Sequence, residues 1–225
     1  MSPRIEKLFL TPGPQPNGLQ AAPDGLWVID QRDNCVYRLS YEDGSVLLKL
    51  QTEADRASGI TLGGGHVWIA STYDCRLLKL DPATGRTVAT YDTPGAGVVA
   101  WQRGAPDAVR TGAHGLEWVD GKLWVATPPA QTVYQVEPSD MTVIRSFPTP
   151  GGRPHGLAWD GDFLWLADTS MMEIHKLDPS DGHVVDTIEV SGPPPHGMTI
   201  HEGALWYCDA ETRQVCRIAL EDTAT

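Results

Sequence analysis

The sequence predicts an all-β protein that folds as a five-bladed β-propeller with four strands in each blade. A Leu-Trp or Val-Trp pair recurs at steps of 41, 56, 41 and 41 residues, with the tryptophans at Trp27, Trp68, Trp124, Trp165 and Trp206. Each copy divides into four short apolar-rich stretches separated by turn residues, and repeats of about 40 residues with four strands are typical of propellers. The chain also begins with a piece that looks like the end of a copy.

The copies predict the blades in order along one domain, residues 1–225. We expect blades at about 16–52, 57–95, 113–149, 154–190, and 195–220 plus 4–10. The clearest copy, 154–190, divides into HGLAW, FLWLAD, EIHKLD and HVVDTIEV, in which strand-forming Val, Ile, Leu, Trp and Thr dominate. The fifth copy ends before a fourth strand, so residues 4–10 would supply it and close the ring. The tryptophans should pack between blades.

Composition and charge exclude several classes of function. A formal net charge of −12 argues against nucleic acid and against anionic membranes. No stretch approaches the roughly 18 apolar residues that span a bilayer, and no signal peptide is evident. We expect a cytoplasmic protein that acts on a small molecule, with free thiols at Cys35, Cys75, Cys208 and Cys216.

Three histidines occupy one position of the repeat. His114, His155 and His196 follow one another at steps of 41 residues, and each precedes a glycine and an apolar residue. They open the first strands of their blades, and first strands line the axis of a propeller, so we expect the three imidazoles to meet at one mouth of the channel. The other histidines share no column and are expected at the surface: His66, His175, His183 and His201.

Further polar residues should surround the same mouth. Asn17 and Ser58 fill the histidine column in the first two blades, and Tyr73 follows in a turn on the same face. The long step holds 15 extra residues within 96–112, which carry Trp101 and Arg103. Such a loop is either a lid or binding loop over the mouth, or a surface excursion. We expect these five side chains to bind substrate.

Three neutral imidazoles can hold one divalent metal ion and leave coordination positions open. Zinc or iron is favoured, with copper or magnesium as alternatives. Zinc would make bound water a nucleophile near neutral pH, whereas iron or copper could take oxygen. Two interpretations without a metal stay open: one histidine acts as a general base, or the histidines only brace a loop of the repeat.

An acidic column lies in turns on the same face. Asp30, Asp168 and Asp209 share a repeat position, and Glu211 follows in the last of these turns. Repeated aspartate can brace a turn, and a carboxylate can also accept the second N–H of a histidine. Glu211 and Asp168 are the candidate catalytic bases.

Two pieces of the repeat carry a resemblance to known proteins. They are Pro-His-Gly-Leu at 154–157 and Leu-Trp-Leu-Ala-Asp at 164–168, with copies at 195–198 and 205–209. In these the chain resembles propellers of the streptogramin (virginiamycin B) lyase type and, more broadly, the NHL and gluconolactonase-like superfamily. The resemblance implies elimination at a lactone by a histidine base, a glutamate and a divalent metal, with His196 and Glu211 in the matching places. Those lyases look seven-bladed; five blades are similar to plant-type glutaminyl cyclases, whose own motifs are absent here.

The sequence therefore predicts a metal-dependent enzyme that acts on a small molecule by hydrolysis or elimination at an ester- or lactone-like bond. The metal ligands would be His114, His155 and His196. One alternative is a three-histidine iron or copper oxygenase. The other is a non-catalytic propeller scaffold that binds a ligand or a protein.

Overall fold

The computed structural model describes residues 3–220 and has the predicted fold. Five four-stranded antiparallel sheets form the five blades, and the described residues contain almost no helix. In four blades the strands follow one another outward from the axis in chain order. The fifth sheet has the order β20-β21-β22-β1, so the first strand of the chain completes the last blade.

The first strand of the chain is β1 (Ile5–Leu10). Blade 1 contains β2 (Pro16–Ala22), β3 (Gly25–Asp30), β4 (Cys35–Leu39) and β5 (Val46–Gln51). Blade 2 contains β6 (Ala57–Gly63), β7 (His66–Ser71), β8 (Arg76–Leu80) and β9 (Thr87–Asp92). After the insertion strands β10 (Gly97–Val98) and β11 (Arg110–Thr111), blade 3 contains β12 (Gly115–Val119), β13 (Lys122–Thr127), β14 (Thr132–Val136) and β15 (Val143–Pro148). Blade 4 contains β16 (Pro154–Trp159), β17 (Leu164–Asp168), β18 (Glu173–Leu177) and β19 (Val184–Glu189). Blade 5 contains β20 (Met198–His201), β21 (Ala204–Cys208), β22 (Gln214–Ala219) and β1.

The tryptophan column joins each blade to the next, as predicted. All five side chains are buried, with 1–6% of their surface exposed. Trp27 packs with Ile60 of blade 2, and Trp206 packs with Leu19 of blade 1, so the contact also runs across the join between last and first blade. Burial of a large ring at every interface supplies much of the apolar area that holds a propeller together.

Glycine after each histidine-column residue lets neighbouring inner strands approach closely. A Cβ on Gly59 would lie 2.9 Å from the backbone nitrogen of Leu116, and one on Gly156 would lie 2.7 Å from that of Met198. A Cβ on Gly197 would collide with the backbone of Gly18, so the same close contact closes the ring. The close approach brings side chains at the adjacent position of neighbouring blades into contact.

The ring is closed by pairing between β1 and β22. Ile5 pairs with Ile218 and Lys7 with Cys216, in antiparallel register. The four cysteines are free thiols, as predicted.

Within residues 3–220, no helix has both the length and the apolar character needed to cross a membrane.

Candidate functional site

A cavity of about 290 Å³ lies at the mouth of the ring, where the inner strands begin. The histidine column contributes four of its lining residues: Asn17, His114, His155 and His196. Turns and neighbouring segments contribute Gln15, Gln31, Tyr73, Thr111, Pro128 and Arg153. The inserted segment contributes Val99, Trp101, Gln102 and Val109. The repeat and the insertion therefore build one site together.

The three histidine rings contact one another in a row. The ring centroids of His114 and His155 are 4.6 Å apart, and those of His155 and His196 are 5.0 Å apart. Each pair is nearly perpendicular, at 78° and 79°. His114 Nδ1 and His155 Nε2 lie 3.2 Å apart, within hydrogen-bond distance. Residues separated by 41 positions in the sequence thus form one imidazole cluster, defined here as His114, His155 and His196.

Backbone carbonyls orient two of these rings in the same way. His155 Nδ1 lies 3.0 Å from the carbonyl oxygen of Arg153, and His196 Nδ1 lies 3.3 Å from that of Pro194. In both cases the carbonyl is two residues before the histidine, so the repeat reproduces the contact. When Nδ1 is protonated and donates to the carbonyl, the lone pair is on Nε2: that of His196 is free, and that of His155 accepts from His114 Nδ1. His196 Nδ1 also lies 3.5 Å from the amide nitrogen of Ala210, a longer contact that would need the opposite tautomer.

Burial keeps all three imidazoles neutral at neutral pH. It lowers the pKa of His114 to about 3, with smaller contributions from the charges of Arg153 and His196. It also lowers the pKa of His155 well below its usual value, helped by the two neighbouring histidines. Burial lowers the pKa of His196 too, but the Pro194 carbonyl and the Asp209 carboxylate oppose it. Neutral imidazoles accept hydrogen bonds and can bind metals.

A complete three-ligand metal site is not preformed. Within residues 3–220, no three His, Cys, Asp or Glu side chains are arranged to hold a metal ion. The 3.2 Å between His114 Nδ1 and His155 Nε2 is near the roughly 3.3 Å that separates two nitrogen ligands on a tetrahedral zinc ion. His196 does not complete the set with them in this arrangement. The three rings as they stand therefore do not form a metal site within residues 3–220.

Arg153 is a feature of the site that the sequence interpretation missed. Its side chain lines the cavity, and its guanidinium carbon lies 5.6 Å from the centre of the Trp101 ring. Its repeat position, two before the histidine column, also holds Gln15, which lines the cavity as well. That shared position is the signal that could have identified both residues. Gln31, a second glutamine of the lining, accepts a hydrogen bond at Oε1 from Gln15 Nε2 at 2.9 Å.

The inserted segment covers one side of the cavity. Strands β10 and β11 form a short antiparallel hairpin, and a 3-10 turn at Ala100–Gln102 follows β10. Val99 is buried with 5% of its surface exposed, whereas Trp101 is 55% exposed. The segment is therefore anchored at Val99 and presents a large aromatic ring at the entrance.

The structure brings three of the five predicted substrate-binding residues to the cavity. Asn17, Tyr73 and Trp101 line it. Ser58 is fully buried, and its hydroxyl oxygen accepts a hydrogen bond from Gln31 Nε2 at 2.9 Å. Arg103 points away, because it donates to the carbonyl oxygen of Pro129 at 3.1 Å. Local hydrogen bonds thus hold both outside the lining.

The acidic column braces turns. The buried carboxylate of Asp168 accepts hydrogen bonds from the backbone amides of Arg153, Ser170 and Met171 at 2.9–3.1 Å. Asp30 and Asp209 accept from backbone amides of their own turns in the same way. Neither Asp168 nor Glu211 lines the cavity. Glu211 is exposed and acts on the cluster through its charge, which opposes the lowered pKa of His196.

One of the histidines expected at the surface is buried, so that expectation was wrong for His175. Only 3% of its surface is exposed, and its Nδ1 lies 3.2 Å from the hydroxyl oxygen of Thr187. It lies on β18, inside blade 4, where the alternation of the strand turns it inward.

The comparisons with known proteins support the fold. No protein-family model and no curated protein matches the sequence. Among solved structures, a glutaminyl cyclase from Myxococcus xanthus matches with a TM-score of 0.75 at 13% identity, over 97% of this chain and 94% of that one. A catalytically inactive virginiamycin B lyase from Staphylococcus aureus with quinupristin matches with a TM-score of 0.57 at 18% identity, over 91% of this chain and 66% of that one.

A streptogramin B lyase structure matches equally well. Its TM-score is 0.57 at 18% identity, over 97% of this chain and 70% of that one. The resemblance to streptogramin lyases predicted from the repeats is therefore confirmed. At these identities it is a likeness of fold.

Proposed function

We propose that this protein is an enzyme that binds a small molecule in the mouth cavity and opens an ester- or lactone-like bond in it, by elimination or hydrolysis. The observation that carries the proposal is the cluster of three neutral imidazoles in the lining of a cavity. Neutral imidazole is the form that accepts a proton from a substrate or from an attacking water.

His196 is the proton acceptor in this proposal. A general base needs a free lone pair and a neighbour that stabilises the positive charge it gains. The Pro194 carbonyl oxygen lies 3.3 Å from His196 Nδ1, and the carboxylates of Asp209 and Glu211 both favour the protonated ring. For His114, burial and the nearby Arg153 charge both oppose protonation. His114 and His155 would then support the site as a contacting pair, since both nitrogens of His155 already have partners in His114 Nδ1 and the Arg153 carbonyl oxygen.

The similar structures support an enzymatic role. They include a glutaminyl cyclase, 94% of whose chain is covered by the match, and two streptogramin-type lyases. The fold likeness to the lyases is the reason for proposing elimination, in which the base takes a proton from the substrate. In hydrolysis the same base would take the proton from an attacking water molecule.

A divalent metal ion on the imidazole cluster is a second candidate. The nitrogen separation of 3.2 Å favours it, as does the carbonyl contact that fixes His196 with Nε2 free. The ion would be zinc or iron, held by His114 and His155, with His196 turned to join them. A bound metal would lower the pKa of a water ligand toward neutrality.

The test is a panel of lactones and esters assayed for acid release and for the ultraviolet absorbance of an unsaturated product. Active substrates are then tested with His196→Ala and with the control His183→Ala, an exposed histidine outside the column. We expect His196→Ala to lower kcat/KM by at least about 100-fold and the control to match wild type. Full activity of His196→Ala would contradict the proposal. Loss of activity with chelator and its recovery with zinc would favour the second candidate.

A further inference from the structure

We propose that the mouth cavity recognises a small molecule with a single carboxylate, which pairs with the guanidinium of Arg153. This inference names the substrate class of the site and rests on the proposed function of that site.

Arg153 is the one charged side chain among the described residues that line the cavity. No aspartate, glutamate or lysine accompanies it there. Within residues 3–220, its guanidinium takes part in none of the ion pairs and donates no side-chain hydrogen bond. Since it also lines the cavity, its guanidinium can pair with an anion that enters there.

The chemistry of the lining selects a carboxylate from among the anions. Arginine presents a planar fork of donors that matches a carboxylate in two parallel hydrogen bonds. A phosphate dianion would leave about one negative charge unpaired, because the lining offers no second cation. Arg153 is two residues from His155 and lies over the face of Trp101. A carboxylate held there places the rest of the molecule between the Trp101 ring and the imidazole cluster.

A second polar group in the lining, the Asn17 amide, can pair with a donor on the ligand when its oxygen turns toward the cavity. Asn17 is 3% exposed, and its Oδ1 is buried without a hydrogen-bond partner among the described residues. An unpaired buried acceptor costs free energy that a ligand hydroxyl or amide N–H recovers. The cavity volume of about 290 Å³ equals about ten water molecules at roughly 30 Å³ each. The ligand is therefore a small hydroxy or amide-bearing acid.

The experiment measures binding by calorimetry and by thermal shift, without any activity assay. The probes are mandelate and its neutral analogue mandelamide, with phenylacetate as the acid that lacks the hydroxyl. The proteins are wild type, Arg153→Met, Arg153→Lys and the charge-matched control Arg86→Met, which lies in the hairpin between β8 and β9. Thermal melts without ligand show that each variant is folded.

We expect mandelate to bind wild type at least about tenfold more tightly than mandelamide and more tightly than phenylacetate. Arg153→Met should lose the preference for the acid, Arg153→Lys should keep part of it, and Arg86→Met should match wild type. Equal affinity for acid and amide, unchanged binding to Arg153→Met, or no binding of either acid would overturn the inference. The two proposals can fail separately. If carboxylate binding depends on Arg153 but His196→Ala keeps full activity, the proposed function is wrong and the inference about the carboxylate is supported.

Discussion

At the scale of single residues, burial sets the protonation of the groups near the axis. The three imidazoles lose proton affinity through burial, and a carboxyl group responds in the opposite direction. Glu117 on β12 is 5% exposed, and the amide of Trp118 donates to its Oε1 at 3.1 Å. Burial raises the pKa of Glu117 to about 8, so this side chain is neutral at pH 7.

Glu117 makes stability depend on pH in a direction that can be measured. Its pKa is about 8 in the folded protein and 4.5 when unfolded, so the folded state holds the proton between these values. The stabilising contribution is complete below pH 4.5 and is lost as pH rises to 8, by up to about 1.4 kcal/mol per pH unit. Urea unfolding at pH 6.5 and pH 8 should show a smaller loss of stability for Glu117→Gln than for wild type. Equal losses in the two proteins would show that Glu117 is not buried as a neutral acid.

At the scale of elements, the turn that follows the second strand of every blade uses the same unusual backbone conformation. One residue in each has a positive φ between 51° and 64°, and none is glycine: Asn34, Cys75, Gln131, Met172 and Arg213. All five lie four residues after the position of the acidic column, whose aspartates accept hydrogen bonds from the turn amides. The left-handed conformation costs a residue other than glycine or asparagine about 1 kcal/mol. The repeat therefore keeps a small strain in the turns of the mouth face.

Glycine at one of these turn positions should stabilise the protein. Gln131 is exposed, with a φ of 51°, so Gln131→Gly relieves the strain without removing a buried contact. The gain is partly offset by the freedom of glycine in the unfolded chain, and we expect a net increase in the free energy of unfolding of about 0.5 kcal/mol. Gln135→Gly in β14 makes the same exchange at an extended residue and should destabilise by about 1 kcal/mol. Similar losses from both variants in chemical unfolding would contradict the strain.

At the scale of the whole molecule, the fold could be predicted from the sequence because each blade is one copy of a sequence repeat. The tryptophan spacing predicted five blades, and the N-terminal piece predicted the strand that closes the ring. The histidine column was readable for the same reason, since equal positions of neighbouring blades must meet at the axis. A periodic pattern identifies the position of a residue, but not the direction in which its side chain turns.

Several residues were misplaced or missed because a repeat position does not determine the contacts of a side chain. Ser58 and Arg103 were expected at the cavity, and hydrogen bonds to Gln31 and to the Pro129 carbonyl hold them elsewhere. Arg153 was missed because its repeat position is only partly polar: it holds Gln15 and Arg56 in the first two blades, but glycine in the third and proline in the fifth. The three histidines meet without forming a ready metal site, since that depends on ring rotations within a shared location.

Histidine NMR tests most directly the claim that the closed ring brings three distant imidazoles together as a neutral cluster. In a ¹⁵N-labelled protein titrated between pH 8 and pH 5, we expect His114 and His155 to stay neutral, and the rings of His155 and His196 to carry the proton on Nδ1. His155→Ala should shift the ring signals of both His114 and His196, whereas His183→Ala should shift neither. The account would be contradicted if the three rings titrated independently near pH 6.5 and if His155→Ala left the ring signals of His114 and His196 unchanged.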